Sequence, residues 1–263
     1  MLSKSLRTFR SSLKFAGVPL FSRAFIQWCK AWLRSIPYRR KKYSSISEMV
    51  DFHFSTWSTP GHDSRAGMEQ ALLACDSLNL IVETGTSAWG CDSSRLLDLV
   101  AKTFGNTFVS VDIRAEASMW LKFQTSNHSL FFVQDSLEFF RESFPKNFNR
   151  NIDFAYLDSF DMDFRNPGPS ESHGLQEFES VCRYSRKGTI VLVDDTPAEL
   201  DEVPEAFRHY AKQFQEVNNR LPGKGSLVLK KIQKNEDFEV LWHSHNLVVR
   251  ILRANPLLND NQT

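Results

Sequence analysis

The sequence predicts an α/β fold with a doubly wound, mostly parallel sheet, and three observations support this class. Apolar runs of strand length alternate with amphipathic helical patterns from residue 78 to residue 216. The run at 79–90 breaks abruptly from apolar into small residues, as a strand entering a tight turn does. The chain has 263 residues, of which 41% are hydrophobic and 22 are Phe, so it can bury the core of one sizeable domain.

The first strand and its turn organise the predicted domain. Leu80, Ile81 and Val82 form the apolar run, and Gly85 and Gly90 lie in the turn that follows it. Apolar side chains then recur at helical spacing, so the order is strand, turn and helix. Because the free N–H groups of a helix N-terminus face such a turn, this position favours a bound ligand.

The remaining elements follow in regular order. A helix at 65–78 precedes the first strand, and residues 46–63 are aromatic and irregular, which indicates a lid or entry loop. The predicted strands are 78–83, 107–112, 129–133, 152–158 and 188–194, and the predicted helices are 92–103, 114–125, 136–144, 171–185 and 203–216. A terminal antiparallel hairpin is predicted from two late strands, one near Ser226–Ile232 and the other near Phe238–Trp242 or Leu247–Leu252.

Acidic residues end the first two strands. Glu83 ends the first and Asp112 the second, and a carboxylate at Glu83 suits a cation better than a pyrophosphate. With Gly85, these residues resemble the signature of class I S-adenosylmethionine-dependent methyltransferases. The resemblance implies a Rossmann-like, seven-stranded sheet in the order 3-2-1-4-5-7-6, with S-adenosylmethionine as the methyl donor. It also implies that Glu83 lies under the donor's amino-acid end and that Asp112 holds the ribose hydroxyls.

Further donor contacts follow from the same resemblance. Asp135 and Ser136, just past the third strand, match the position at which the family contacts the adenine, although each residue type is equally suited to cap a helix N-terminus. The predicted donor-binding residues are Glu83, Gly85, Thr86, Ser87, Ser93, Asp112, Asp135 and Ser136.

Three more aspartates follow the fourth and fifth strands. Asp158 ends the fourth strand, and Asp194 and Asp195 end the fifth. Gathering three carboxylates at adjacent strand ends is repulsive, and a hard divalent cation with oxygen ligands is a simple way to neutralise them. The pattern resembles the magnesium site of catechol and sugar O-methyltransferases, which implies that Asp158, Asp194 and Asp195 hold Mg²⁺. In the alternative interpretation, Asp194 and Asp195 cap the next helix and Asp158 faces the methionine moiety of the donor.

Two residues are candidates for the general base. The related catechol enzymes place a lysine three residues beyond the strand-four aspartate, but this sequence has Asp161 there. Asp161 and His173 are therefore the candidate catalytic residues, the histidine because a neutral imidazole suits proton removal near neutral pH. We interpret Lys224 as part of a plain Gly-Lys-Gly turn, and His243 and His245 as surface residues.

Residues 1–47 form a basic N-terminal extension ahead of a methyltransferase domain at 48–263. The extension holds eleven Lys and Arg residues and no Asp or Glu. Its apolar residues recur at helical spacing, which predicts basic amphipathic helices. Three interpretations stay open: an interfacial helix pair on anionic lipid, an organellar transit peptide, and an appendage packed on the domain or on a partner subunit. We expect no membrane span, because no apolar run approaches the roughly 18 residues that one needs.

The sequence therefore predicts an enzyme that transfers a methyl group from S-adenosylmethionine to an oxygen. The expected acceptor is a hydroxyl of a sugar, a glycan, a small polyol or a phenol, and the expected cofactors are S-adenosylmethionine and Mg²⁺. Two alternatives stay open, a non-catalytic adaptor that keeps the fold and a nicotinamide-dependent reductase. The spacing of Gly85 and Gly90 and the strand-end aspartates speak against the reductase.

Composition adds expectations about location and partners. The four cysteines are scattered without metal-ligand spacing, which favours reduced thiols and a cytoplasmic protein. Peripheral contact with a membrane through residues 1–42 is one open interpretation, and import into an organelle is another. Outside the extension the chain is net acidic, so we expect no nucleic-acid partner. Whether the protein forms a homo-oligomer is an open question at this point.

Overall fold

The computed structural model describes residues 42–59, 61–87, 90–122 and 124–256, without the side chain of Trp120. Its strands are β1 Leu80–Thr84, β2 Thr107–Asp112, β3 Ser129–Val133, β4 Ile152–Leu157, β5 Ser185–Val193, β6 Phe238–His243 and β7 Leu247–Ile251. Its main helices are α1 Ile46–Thr56, α2 Ser64–Leu73, α3 Ser93–Phe104, α4 Ala115–Lys122, α5 Ser136–Glu138, α6 Phe144–Asn147, α7 Gly168–Arg183, α8 Arg208–Asn218 and α9 Ser226–Ile232. A π-helical turn, Phe139–Ser143, joins α5 to α6.

The seven strands form one sheet in the order β3-β2-β1-β4-β5-β7-β6, which confirms the predicted order. Strands β1 to β5 run parallel to one another, whereas β7 runs antiparallel to both β5 and β6. The strand order switches between β1 and β4, so the carboxyl ends of the parallel strands meet at one edge of the sheet. Ligands of open α/β sheets bind outside this edge.

Alternate residues of the strands supply the core on the two faces of the sheet. On one face, Ile81 and Phe154 pack with side chains of α1, α2 and α3, such as Met49. On the other face, Val82 and Ala155 belong to a core with the phenylalanines of the π-helical turn and with α7. All of these strand residues are fully buried, because helices cover both faces of a doubly wound sheet.

The late part of the chain differs from the sequence prediction. Residues Ser226–Ile232 form helix α9 rather than a strand, and the terminal hairpin consists of β6 and β7. Val228 and Ile232 are both buried and lie one helical turn apart, so the helix turns its apolar side to the core while Lys230 and Lys231 lie in its last turn. The short apolar run did not distinguish helix from strand.

Two further elements also differ from their predicted form. Residues 46–56, expected in an irregular loop, form α1, whose Met49 and Val50 are fully buried. The helix predicted at 203–216 begins at Arg208, because Pro204 lies between two short 3-10 turns that precede it.

The predicted basic extension lies almost entirely outside the described residues, which begin at 42. Within the described residues, no helix combines the length and the apolar character required to cross a bilayer.

A buried carboxylate fixes the turn after β1 to the helix that follows it. Glu83 is fully buried, and its carboxylate accepts hydrogen bonds from the hydroxyls of Ser93 (2.6 Å), Ser94 (2.5 Å) and Ser110 (2.6 Å). Ser94 in turn accepts the N–H of Ser87. Burial raises the pKa of Glu83 from its ordinary value of 4.5 to about 7, although the three serine hydroxyls favour its ionised form.

We expect the substitution Glu83→Gln to change how stability depends on pH. The pKa of Glu83 is higher in the folded chain than in the unfolded chain, so wild-type stability falls as pH rises from about 4.5 to about 7. A neutral Gln avoids this loss. The unfolding free energy of the variant minus that of wild type, measured in urea, should therefore rise by about 3 kcal/mol across that interval. This difference should stay constant at higher pH.

The control for this experiment is Glu205→Gln, which makes the same change at an exposed position. A difference between Glu83→Gln and wild type that is constant from pH 4 to pH 8 would contradict the assignment.

Candidate functional site

A pocket of about 160 Å³ opens at the carboxyl ends of β1, β2 and β3. We call it the strand-end pocket. Gly85, Asp112, Asp135 and Ser136, all predicted to contact a donor, lie in its wall together with His173. The remaining lining residues are Val111, Ile113, Gln134, Ser159 and Phe160. The sequence therefore brings five of its candidate residues to one cavity.

Gly85 shapes the floor of this pocket. Its φ is +80°, a conformation that residues with a Cβ rarely adopt. A Cβ at this position would lie 2.2 Å from the backbone oxygen of Asp158. Only glycine lets the turn after β1 approach the end of β4 this closely, so this turn and the backbone of Asp158 lie in direct contact.

Asp112 is held by the backbone of the same turn and by an arginine. Its Oδ2 accepts the N–H of Thr86 at 2.8 Å and an Nη2–H of Arg114, also at 2.8 Å. Burial alone would raise the pKa of Asp112, but the hydrogen bonds from Arg114 and Thr86 lower it overall. Asp112 is therefore an ionised acceptor at neutral pH, with an arginine at its solvent side.

The sequence analysis did not identify five of the lining residues, and three of these, Gln134, Ile113 and Phe160, have features that suit a ligand. The amide Nε2 of Gln134 is buried without a hydrogen-bond partner among the described residues, while its Oε1 accepts the hydroxyl of Ser143. Ile113 is 71% exposed and Phe160 is 43% exposed, although both are large and apolar. An unpaired amide donor between exposed apolar side chains is a suitable environment for a flat heteroaromatic ring.

His173 also lies in this pocket, in a network of buried hydroxyls. Its Nε2 is 2.8 Å from Oγ of Ser159 and 3.1 Å from Oγ of Ser136, and Ser159 donates its own proton to Glu177. Burial alone would lower the pKa of His173, but Glu177 raises it overall. Since Ser159 gives its proton to Glu177, the imidazole Nε2–H is the donor to the serine. This nitrogen is not a free base.

The other predicted residues lie outside the pocket wall. Ser87 and Ser93 belong to the Glu83 network beneath the turn, Thr86 is 1% exposed, and Glu83 itself is fully buried. Asp161, the second candidate base, is exposed. Its backbone carbonyl accepts a hydrogen bond from the hydroxyl of Ser170.

The aspartates after β4 and β5 meet around a lysine. The ammonium of Lys224 forms an ion pair with the carboxylate of Asp158 and lies 3.0 Å from Oδ2 of Asp195. The lysine side chain is 4% exposed. We call these three residues, with Asp194, the aspartate–lysine cluster.

The cluster shifts the titration of its members. Burial raises the pKa of Asp158 well above its usual range, with Asp194 and Asp195 adding to the effect and Lys224 opposing it. Burial opposes ionisation of Asp195 and Lys224 as well, but the attraction of Lys224 for Asp158 and Asp195 outweighs it. The pKa of Asp195 is lowered and that of Lys224 is raised. Lys224 is therefore a fixed ammonium at neutral pH.

Asp194 has neutral partners instead. Tyr156 donates its hydroxyl to Oδ2 at 2.6 Å, and Oδ1 accepts the hydroxyl of Ser64 at 3.2 Å and the amide of Asn246. Burial raises the pKa of Tyr156 well above its usual range, and Asp194 adds to that shift, so the phenol keeps its proton. Both oxygens of Asp194 are thus satisfied without a cation.

The predicted magnesium ligands do not form one set of ligands. Within the described chain, the group whose ligand atoms approach within 4.8 Å of one another is Asp194, Asp195 and His245, and Asp158 is not part of it. Lys224 contacts one oxygen of Asp158 and one of Asp195, so its ammonium lies where a cation that bridges these two carboxylates would lie. The residues present therefore do not fit the predicted three-aspartate Mg²⁺ site.

A second cavity, of about 470 Å³, adjoins the cluster from the side of β6 and β7. We call it the acidic pocket. His245 lies in its wall, with its Nε2 3.9 Å from Oδ1 of Asp195. The other lining residues are Asp63, Asp201, Glu202, Val203, Pro204, Arg208 and Ser244. Carboxylates and a hydroxyl in one cavity provide many acceptors for the O–H groups of a ligand.

Lys224 and His245 are the functional candidates that sequence reasoning dismissed. Lys224 follows Asp158 by 66 residues, and neither spacing nor periodicity connects the two. One signal was present: glycines on both sides of Lys224 indicate close backbone contacts, which can fix a lysine as well as form a turn.

No family model and no curated protein sequence matches this chain. Among solved structures, it is similar to the MycE methyltransferase of the mycinamycin biosynthetic pathway in complex with Mg and SAH. Identity is 12%, the TM-score is 0.55, and the match covers 83% of this chain and 57% of that chain. A MycE structure with Mg, SAH and mycinamycin VI gives 13% identity, a TM-score of 0.55, and coverages of 83% and 55%.

An O-methyltransferase from Bacillus cereus in complex with SAH matches at 14% identity and a TM-score of 0.43, over 85% of this chain and 99% of that chain. The chain thus spans 57% or less of the MycE structures that it matches. At these identities the likeness to MycE shows the fold. The chain has the Rossmann-like, seven-stranded fold of class I S-adenosylmethionine-dependent methyltransferases.

Proposed function

We propose that this chain is an S-adenosylmethionine-dependent O-methyltransferase that acts on a hydroxyl of a sugar, glycan or other small polyol or phenol. The observation that carries the proposal is that residues in the walls of two cavities adjoin one charged cluster. The strand-end pocket includes Gly85 and Ser159, which adjoin Asp158, and the acidic pocket includes His245, which adjoins Asp195. Asp158 and Asp195 share Lys224.

The strand-end pocket fits the donor. Gln134 offers an unpaired amide N–H, Ile113 and Phe160 offer exposed apolar flanks, and Asp112 offers an ionised carboxylate for hydroxyls. The network of His173, Ser159 and Ser136 fixes the opposite wall. The MycE structures of the same fold hold SAH, the demethylated form of such a donor, which supports this assignment.

The acidic pocket fits a hydroxyl-bearing acceptor. Asp63, Asp201 and Ser244 supply hydrogen-bond acceptors, and the guanidinium of Arg208 is held by the backbone carbonyls of Asp201 and Val203. A polyol presents several O–H donors at once, so a wall of carboxylates recognises it better than it recognises an apolar ring or an anion.

The cluster performs the chemistry between the pockets. The donor supplies a methyl group already activated as a sulfonium, so this chain must align the acceptor and accept its proton. A bond forms from the acceptor oxygen to the methyl carbon, the carbon–sulfur bond breaks, and the sulfur leaves as a neutral thioether. We assign the hydroxyl proton to the carboxylate of Asp195, which is 32% exposed and can pass the proton to solvent. No step requires the predicted Mg²⁺.

We expect the wild-type chain to bind S-adenosylhomocysteine in calorimetry, and we expect Asp112→Ala to weaken that binding by about 10- to 100-fold. The substitution removes a charge-assisted acceptor and frees Thr86 N–H from its partner. The matched control is Asp163→Ala, an aspartate that also pairs with an arginine two residues later, outside the strand-end pocket.

The same titration separates the proposal from its two alternatives. Absence of binding to S-adenosylhomocysteine, with binding to a nicotinamide dinucleotide, would support a reductase and contradict our proposal. Binding without methyl transfer across a panel of sugars, polyols and catechols, followed by mass spectrometry, would favour a non-catalytic adaptor.

We also propose that the basic extension attaches the domain to anionic membranes, so that the acceptor can be a glycan carried on a lipid. The support is the charge of residues 1–47, with eleven basic residues and no acidic one.

We expect the full chain to sediment with vesicles that contain phosphatidylserine, and we expect the chain without residues 1–42 to stay in the supernatant. Each basic residue near an anionic surface contributes about 1 kcal/mol to binding, so the loss should be complete at moderate salt. Unchanged affinity for S-adenosylhomocysteine confirms that the shortened chain is folded. Equal sedimentation of both chains would refute the membrane role.

A further inference from the structure

The cation of the aspartate–lysine cluster is part of the protein. Lys224 contacts Asp158 and lies 3.0 Å from Asp195, and its side chain is 4% exposed. The sequence predicted a divalent ion among these carboxylates. The structure instead places a buried lysine side chain between two of them.

Backbone contacts hold Lys224 in this position. Its N–H donates to the backbone oxygen of Asp195 at 3.0 Å, and the N–H of Gly225 donates to the hydroxyl of Thr196 at 2.9 Å. A Cβ at Gly223 would lie 2.8 Å from Asp195 O, and one at Gly225 would lie 2.7 Å from Thr196 Oγ1. The two glycines therefore let the Lys224 backbone lie directly against the end of β5.

Helix α7 closes the same contact from the other side. A Cβ at Gly174 would lie 2.5 Å from the backbone oxygen of Lys224. Three separate glycines thus make room for one lysine. This packing fixes the backbone of Lys224. A lysine on a flexible surface segment could move its ammonium away from the aspartates at little cost in free energy.

Within the described residues, each carboxylate of the cluster has a polar or charged partner other than a metal ion. Tyr156, Ser64 and Asn246 satisfy Asp194, so the carboxylates that need a positive partner are Asp158 and Asp195. Lys224 serves both. Coordination of Mg²⁺ requires oxygens at about 2.0–2.1 Å, so an ion between these two carboxylates would have to displace the ammonium.

We propose that Lys224 is the resident cation of this site, that it takes the place of the divalent metal, and that it donates its remaining N–H to the acceptor oxygen. An ammonium has three donors, and within the described residues the two aspartates occupy two of them. The donation to the acceptor rests on the proposed function. The exclusion of metal does not.

The test measures Mn²⁺ binding by calorimetry and by electron paramagnetic resonance, with the full-length protein. We expect wild type to show no stoichiometric Mn²⁺ site and to keep its methyl transfer in excess EDTA. We expect Lys224→Ala to acquire a Mn²⁺ site, because it leaves Asp158 and Asp195 without their cation. Its kcat should fall at least about 100-fold, as on loss of an essential oxyanion donor, while its affinity for S-adenosylhomocysteine stays within a few fold.

The matched control is Lys231→Ala, a lysine that pairs with Glu179 on helix α7 and is 32% exposed. It should gain no Mn²⁺ site and lose no activity. Lys224→Met serves as a second variant of similar volume, in case Lys224→Ala does not fold.

Several results would overturn the proposal. These are a Mn²⁺ site in wild type that Asp195→Asn removes, loss of wild-type activity in EDTA with recovery on Mg²⁺, and a folded Lys224 variant that gains no metal site. Failure of wild type to bind S-adenosylhomocysteine is a separate outcome, which would overturn the proposed function and leave the Mn²⁺ result to decide the exclusion of metal.

Discussion

The ion pairs between Lys224 and the aspartates at the ends of β4 and β5 are the interaction on which the site depends. The parallel strand order places Asp158 beside Asp194 and Asp195, and a buried cluster of negative charge is unstable without compensation. Lys224 supplies it. The glycines at 174, 223 and 225 then follow as requirements, since each allows a backbone approach that a side chain would prevent. Removing the lysine leaves Asp158 and the partly exposed Asp195 without the ammonium that they share.

The protein stabilises its buried carboxylates in three different ways, and the differences fit different roles. Glu83 has three serine hydroxyls and no cation, which holds the turn after β1 rigid while keeping the carboxylate away from ligands. Asp194 has a phenol, an amide and a hydroxyl, which fix its orientation. Asp158 and Asp195 share an ammonium, and residues that adjoin these two aspartates line the two cavities. This last arrangement places a charged group at the ends of β4 and β5, where it can act on a ligand.

Local patterns predicted most of the fold. The apolar runs of β1 to β5 and the helical spacing of α3 are properties of short windows, and the strand order 3-2-1-4-5-7-6 followed from a family resemblance. Residues 226–232 were assigned wrongly because four apolar residues in seven suit either a strand or a helix, and packing of Val228 and Ile232 in the core favours the helix. Residues 46–56 were assigned to an irregular, aromatic loop, whereas they form α1 with Met49 and Val50 buried in the core.

The part of the site that lies at the strand ends could be predicted from the sequence. The part that depends on contacts between residues far apart in the sequence could not. Gly85, Asp112, Asp135 and Ser136 reached one pocket because the topology brings the ends of consecutive parallel strands together. Lys224 and His245 come from the segments around the antiparallel end of the sheet, and no spacing rule relates them to Asp158 or Asp195. The metal was inferred from three carboxylates, without the lysine that pairs with two of them.

A crystal structure of the wild-type chain, grown with S-adenosylhomocysteine and Mn²⁺ and measured at the manganese absorption edge, is the most direct test of a lysine in place of a metal ion. We expect the nucleoside between Ile113, Gln134 and Phe160, the ammonium of Lys224 between Asp158 and Asp195, and no anomalous peak at the cluster. A manganese peak on these carboxylates with Lys224 turned away, or a strand-end pocket without the nucleoside, would contradict these expectations.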